Sequence, residues 1–164
     1  MATRYFQPPA GTSTADWGDV ANWSAAPVSG DDMMVLDGAY EIVKSTTTYD
    51  AVAPARLVVS SGFKGTFGTP GNPIKFGNIT SLEWSGSGGA GYVHSTGTIA
   101  FARVAGTGGG RLNLVSGGTV TKLAVVKRVS AVAELLGRAG LEETTITVRR
   151  DMRSDYGDVK VVVT

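Results

Sequence analysis

The sequence contains no cysteine, which excludes disulfide bonds, thiolate nucleophiles and metal sites built from thiolates. Long apolar stretches are also missing, because no run reaches the roughly 18 residues that a membrane-spanning helix needs. Residues 1–30 contain prolines, glycines and aspartates but no apolar run of signal-peptide length. We therefore expect a protein that is made in the cytoplasm, stays soluble and has no membrane partner.

An excess of charge of either sign is missing as well. Lysine and arginine together number 15, and aspartate and glutamate together number 14. No net field would draw the molecule toward nucleic acid, so direct binding to DNA is not expected. The length of 164 residues fits one domain with its own core.

Glycine, valine and threonine are abundant, and this composition favours strands over helices. The 23 glycines punctuate short apolar runs. Glycine costs about 1 kcal/mol relative to alanine inside a helix, whereas β-branched residues fit a pleated, half-buried surface. The composition predicts an all-β protein made of short strands and tight turns.

The middle of the chain repeats loosely. Strand-like apolar pieces end in small polar residues and glycine, and the corner residues Gly62, Gly86 and Gly106 lie 24 and 20 residues apart, with Gly117 following 11 later. Intervals of this size are typical of solenoids, in which each coil buries its apolar face only by stacking on its neighbours. We predict a single β-solenoid domain, similar to a parallel β-helix, over residues 16–164.

One segment leaves two alternatives open. The apolar residues of this segment continue the strand pattern but are also spaced three or four apart, as on one helix face; they are Leu123, Val126, Val129, Val132 and Leu136. The helical alternative would extend over Ser130–Leu136, where alanine, glutamate and leucine concentrate. Apart from this segment, little helix is expected.

The N-terminal region is predicted to differ from the rest. Residues 1–15 contain Pro8 and Pro9 and little to pack except Tyr5 and Phe6, so they are interpreted as an extended arm. Two tryptophans then lie among turn residues just before a strand. Such an aromatic pair is expected to cap the open end of a β-stack.

Residues that resemble catalytic or ligand-binding groups have simpler interpretations. His94, the only histidine, lies between glycine-rich corners and has no cysteine to pair with. The pair Asp31–Asp32 follows Gly30 and is interpreted as turn chemistry rather than as an acid/base or Ca²⁺ pair. The segment Gly106–Arg111 lacks the Lys-Ser/Thr ending of a phosphate-binding loop. Exposed Trp84 and Tyr92 would suit sugar stacking if they faced outward.

Several short segments carry a resemblance to a known group of proteins. The segments are Arg4-Tyr5-Phe6, Asp16-Trp17, Asn22-Trp23-Ser24, Pro27, Gly30-Asp31-Asp32, 116–125 and 144–148. The opening segments and the two later ones resemble β-helical structural proteins of tailed bacteriophages, and the opening is also similar to bacterial surface adhesins and autotransporter passengers.

The phage resemblance implies a capsid decoration, or cement, protein that lies on the virion exterior and stabilises the capsid by bridging capsomers. Its partner would be the major capsid protein, the assembly would be a homotrimer, and neither enzymatic activity, a cofactor nor a metal site is expected. The alternatives are a receptor- or polysaccharide-binding module of a phage fibre or adhesin, and a glycan hydrolase of the β-helix type.

Two sets of residues are predicted to make the contacts. The capsid-binding surface is expected to comprise Arg4, Tyr5, Phe6, Trp17 and Trp23. The C-terminal residues alternate as a terminal strand, whose unpaired backbone would need protection by another chain. A closed trimer would provide that protection, so the predicted oligomer interface comprises Val159, Val161 and Val163.

Overall fold

The computed structural model describes residues 1–86, 89–106, 111–115, 119–127, 132–135, 145–150 and 161–163. Apart from a short 3-10 helix at Val20–Asn22, the regular structure in these ranges consists of strands. The strands are β1 (Thr3–Tyr5), β2 (Thr14–Asp16), β3 (Asp32–Gly38), β4 (Glu41–Val43), β5 (Arg56–Phe63), β6 (Thr66–Phe67), β7 (Ile74–Phe76), β8 (Ile79–Trp84), β9 (Ala90–Ser95), β10 (Thr98–Gly106), β11 (Arg111–Val115), β12 (Thr119–Lys127), β13 (Val132–Leu135), β14 (Thr145–Arg150) and β15 (Val161–Val163).

The strands alternate between two parallel sheets, as in a β-solenoid. Sheet 1 has the order β1-β3-β5-β8-β10-β12-β14, and sheet 2 has the order β2-β4-β6-β9-β11-β13-β15, with β7 also paired to β9. Each coil of the chain therefore adds a strand to each sheet. The prediction of an all-β solenoid is confirmed.

The register gives the length of each coil. Thr3 pairs with Asp32, 29 residues later, whereas Ser81 pairs with Phe101, only 20 residues later. Apart from one register shift in the pairing of β3 with β5, between Val35 and Asp37, the described strands keep their register while the corners between them differ in length. This variation explains why the glycine corners in the sequence recur at drifting intervals.

The core consists of columns of side chains that stack from coil to coil. Alternate residues of each strand point inward. In the three columns given below, every residue with a side chain is at most 1% exposed. Burying one such leucine or valine contributes about 1.5–3 kcal/mol. The columns are Met33, Leu57, Leu82 and Ala102 and then Val35, Val59, Trp84 and Val104 in sheet 1, and Ile42, Phe67, Gly91 and Leu112 in sheet 2.

Within one coil, a tryptophan of sheet 1 packs over a glycine of sheet 2. Trp84 of sheet 1 reaches across to sheet 2, where Gly91 leaves room for its ring. A Cβ added at Gly91 would lie 2.7 Å or less from three ring carbons of Trp84. In the next coil the same two columns hold Val104 and Leu112, so the two sheets compensate for each other in side-chain volume.

The helical alternative for Ser130–Leu136 is wrong where the structure describes that segment. Val132–Leu135 forms β13, which lies in register between Arg111–Leu114 and Val161–Val163. The spacing of apolar residues in this segment fits a helix as well as a strand. The pairing of β13 with a strand on each side decides for the strand. Among the described residues there is no helix long and apolar enough to span a membrane.

The interpretation of residues 1–15 as an extended arm is also wrong. Thr3–Tyr5 pairs with Asp32–Met34 as the first strand of sheet 1, and Thr14–Asp16 begins sheet 2. The prolines lie in the corner between these strands, where Thr12 N–H donates to the Pro9 carbonyl at 3.2 Å. The N-terminal segment is therefore the first coil of the solenoid.

Candidate functional site

Three of the predicted capsid-binding residues form an aromatic cap inside the N-terminal end of the stack. Phe6, Trp17 and Trp23 are 2%, 1% and 6% exposed. Their ring centroids lie 5.2 Å (Phe6–Trp17), 5.1 Å (Phe6–Trp23) and 4.5 Å (Trp17–Trp23) apart. The Trp23 indole N–H donates to the Trp17 carbonyl at 2.9 Å. These side chains close the end of the core, so their assignment to a capsid-binding surface is wrong.

The cap also covers the backbone of Tyr5, the last residue of β1, and of the two residues that follow it. Phe6 makes an antiparallel bridge with Trp23, and Ser24 N–H donates to the Tyr5 carbonyl at 2.9 Å. Gln7 N–H donates to the Asn22 carbonyl at 2.7 Å. Residues 22–24 thus occupy backbone groups that would otherwise offer an open edge for pairing with another chain.

Arg4, the fourth predicted contact residue, is tied to a buried aspartate. Its Nε donates to Asp31 Oδ2 at 2.7 Å, and the Asp31 carboxylate also accepts from the N–H groups of Ala2 at 3.0 Å and Val28 at 3.4 Å. The hydrogen bond from Arg4 is the main cause that holds the pKa of Asp31 below its usual range. Gly30, with φ of +89°, lies in the turn that precedes this carboxylate. Asp31 therefore joins the turn to the first strand.

The outer face of sheet 1 carries a ladder of alternating charges. Arg56 lies 3.7 Å from Asp32 and 3.0 Å from Glu83, and Glu83 lies 3.9 Å from Arg103. These four residues come from four successive coils. The two positive and two negative charges of these residues balance one another. We refer to Asp32, Arg56, Glu83 and Arg103 as the charge ladder.

An apolar column lies beside the charge ladder. Tyr5, Met34 and Val58 are register partners on three successive strands and point outward, where each is half-buried. Leu36, further along β3, is 42% exposed. We refer to these four residues as the apolar column. Of the predicted contact residues, only Tyr5 lies on this surface.

The apolar column can be recognised in the sequence because one strand departs from the usual alternation of apolar and polar residues. The run Met33–Leu36 is apolar at every position, although a strand with one solvated face alternates apolar and polar residues. Met33 and Val35 point into the core, and Met34 and Leu36 point outward. β3 is therefore apolar on both faces and offers apolar side chains on the outer face of sheet 1.

The outer face of sheet 2 carries His94 and Tyr92. Both are half-buried and point outward from β9, on which Val93 between them is buried. Trp84 is only 1% exposed and packs in the core, which rules out the sugar-stacking role considered for it. Burial is the main cause that lowers the pKa of His94, followed by the positive charges of Lys75 and Lys44.

The predicted oligomer interface lies in the last described strand and in the residues just before it. Val161–Val163 forms β15, which pairs with β13 at the end of sheet 2. Val159 lies outside the described residues, as does the stretch 107–110 between β10 and β11. Within the described ranges, no three histidine, aspartate or glutamate side chains are grouped so that they could hold a metal ion.

Comparison with known proteins gives no match. No protein-family model, no curated protein and no solved structure matches this chain.

Proposed function

We propose that this protein is a structural component that attaches to a larger protein assembly through the outer face of sheet 1. The observation that carries the proposal is the apolar column beside the charge ladder. Apolar side chains at the centre of a surface with polar groups at its rim are the usual arrangement of a protein–protein interface. The partner surface would be apolar at its centre and would offer hydrogen-bonding groups to the ladder.

The strands that carry this face favour binding because they are rigid. Met34 and Val58 lie on β3 and β5, which are paired on both sides, and their neighbours Met33 and Leu57 are fully buried. A preorganised surface loses little conformational freedom when it binds. An interface of modest area on this face can therefore still bind a partner stably.

The assembly that we propose is a phage capsid, with the major capsid protein as partner. The resemblance of the opening segments to β-helical phage structural proteins supports this choice. A homotrimer on the capsid exterior would bridge neighbouring capsomers, because three linked contacts hold far better than one. Light scattering that gives a single-chain mass at micromolar concentration would contradict the trimer.

Electron microscopy of intact particles tests the location. Antibody fragments raised against the purified protein, coupled to gold, are expected to label the heads of phage particles produced by the host of origin. Label confined to tail fibres would replace this proposal with the receptor-binding alternative. Particles that carry no label, although the protein is present in the lysate, would contradict the proposal.

A further inference from the structure

Two neighbouring strands of sheet 2 place a lysine beside the single histidine. In the pairing of β7 with β9, Lys75 is the register partner of His94. Paired strands lie about 4.8 Å apart. Both side chains are directed outward because the residues on either side of them point into the core; these are Ile74, Phe76, Val93 and Ser95.

The two strands are held firmly in this position. The Ser95 hydroxyl donates to the Gly77 carbonyl at 2.7 Å, which ties the end of β9 to the end of β7. Before β7, Thr69 and Asn72 exchange backbone hydrogen bonds of 3.2 Å in a tight turn, and the Asn72 side-chain amide donates to the Lys44 carbonyl. The spacing between Lys75 and His94 therefore does not depend on a mobile loop.

A second lysine lies near His94 and forms an ion pair. Lys44 is 9% exposed, and its Nζ lies 2.6 Å from Asp50 Oδ2. Lys75 and Lys44 lower the pKa of His94 and Asp50 raises it. Because Lys44 is paired with Asp50, these three side chains together place the charge of one lysine near the imidazole. An anion placed between Lys75 and His94 would meet this field and two nitrogen donors.

Tyr92 gives the same surface an aromatic side chain. It lies two residues before His94 on β9, points to the same side and is half-buried. The flat face of a tyrosine ring packs well against a sugar ring, and its hydroxyl can form a hydrogen bond. A ligand with an anionic group attached to a sugar ring would use both parts of the surface.

We propose that Lys75, His94 and Tyr92 form a binding site for an acidic sugar, whose carboxylate lies between Lys75 and His94 while its ring packs on Tyr92. The site lies on the opposite sheet from the apolar column and goes beyond the proposed attachment to a protein assembly. Binding takes up a proton, because the carboxylate favours the imidazolium form of His94.

The single histidine makes this proton uptake directly measurable. His94 gives the only imidazole C–H resonances of the chain, so its pKa can be followed by NMR. In sodium chloride we expect titration below the ordinary value of 6.5. Replacing chloride by sodium glucuronate at equal ionic strength is expected to raise the pKa by about half a pH unit or more, from a charge contact near the surface. Glucose is expected to leave it unchanged.

Variants separate the proposed contacts from general effects of salt. Lys75→Met is expected to raise the pKa in chloride and to remove most of the response to glucuronate. Lys64→Met, which removes an exposed lysine after β5, is expected to respond like the unmodified protein. Acetate is expected to need a higher concentration than glucuronate to produce the same shift in the pKa of His94. In the Tyr92→Leu variant we expect the two anions to act at the same concentration.

Three results would overturn the proposal or part of it. A pKa of His94 that does not move in glucuronate would exclude the site. An equal shift in the unmodified protein and in Lys75→Met would exclude Lys75 as a contact. Acetate and glucuronate acting at the same concentration would overturn the assignment of a sugar ligand. None of these results depends on attachment through sheet 1, so failure here and failure of the proposed function are distinguishable.

Discussion

Replacing Gly91 by leucine is expected to destabilise the protein by about 3 kcal/mol or more, the upper end of what overpacking a core costs. Even a single methyl group at this position would meet three carbons of the Trp84 ring within 2.7 Å. Trp84 is 1% exposed and is enclosed by the coils on either side, so it has no space to move into. Urea unfolding followed by circular dichroism measures the loss.

The same pair predicts a rescue. Trp84→Val alone leaves a cavity and is expected to cost up to the roughly 3–5 kcal/mol found for truncating a buried aromatic residue to alanine. The double variant Trp84→Val/Gly91→Leu copies Val104 and Leu112, which hold the same columns in the next coil. We expect it to be more stable than the sum of the single changes by about 1–3 kcal/mol. Simple additivity would show that the two residues do not share one space.

Deleting Met1–Pro9 is expected to unfold or strongly destabilise the N-terminal end of the stack. The deletion removes β1 and Phe6, exposes Trp17 and Trp23, and leaves the buried carboxylate of Asp31 without Arg4. Loss of the Phe6 ring alone costs about 3–5 kcal/mol by the usual measure for buried phenylalanine. Urea unfolding followed by tryptophan fluorescence reports on the cap directly.

Matched single variants give the control for this deletion. Phe6→Ala is expected to reproduce much of the loss, whereas Gln7→Ala, which changes the exposed neighbouring side chain, is expected to have a midpoint close to that of the unmodified protein. A truncated protein whose midpoint and fluorescence maximum are unchanged would show that residues 1–9 do form a detachable arm.

The solenoid could be predicted from the sequence because its causes are local and repeated. The alternation of polar and apolar residues in Ser81–Trp84 places Leu82 and Trp84 in the core, and glycines recur near the ends of strands in successive coils. The N-terminal coil could not be predicted in the same way. Its strands are only three residues long, and its main stabilising contacts join Phe6 to Trp17 and Trp23 across a corner rich in proline.

The candidate surfaces were only partly predictable for a related reason. Trp17 and Trp23 are suited both to an exposed contact and to a buried cap, and only their packing against each other and against Phe6 decides for the cap. Lys75 and His94 are 19 positions apart in the chain, and the turn at Thr69–Asn72 helps to bring them side by side. No periodic pattern in one sequence reports such a register.

The most direct test of attachment through sheet 1 compares two equivalent substitutions on opposite faces. Val58→Asn changes the apolar column, and Val43→Asn changes a half-buried, outward-facing valine of sheet 2. Both variants are added to particles depleted of the protein, and bound copies are counted by electron microscopy, with thermal unfolding as the check on folding. We expect Val58→Asn to bind about tenfold more weakly, as for a central interface residue, and Val43→Asn to bind normally. Equal occupancy of the two folded variants would contradict attachment through sheet 1.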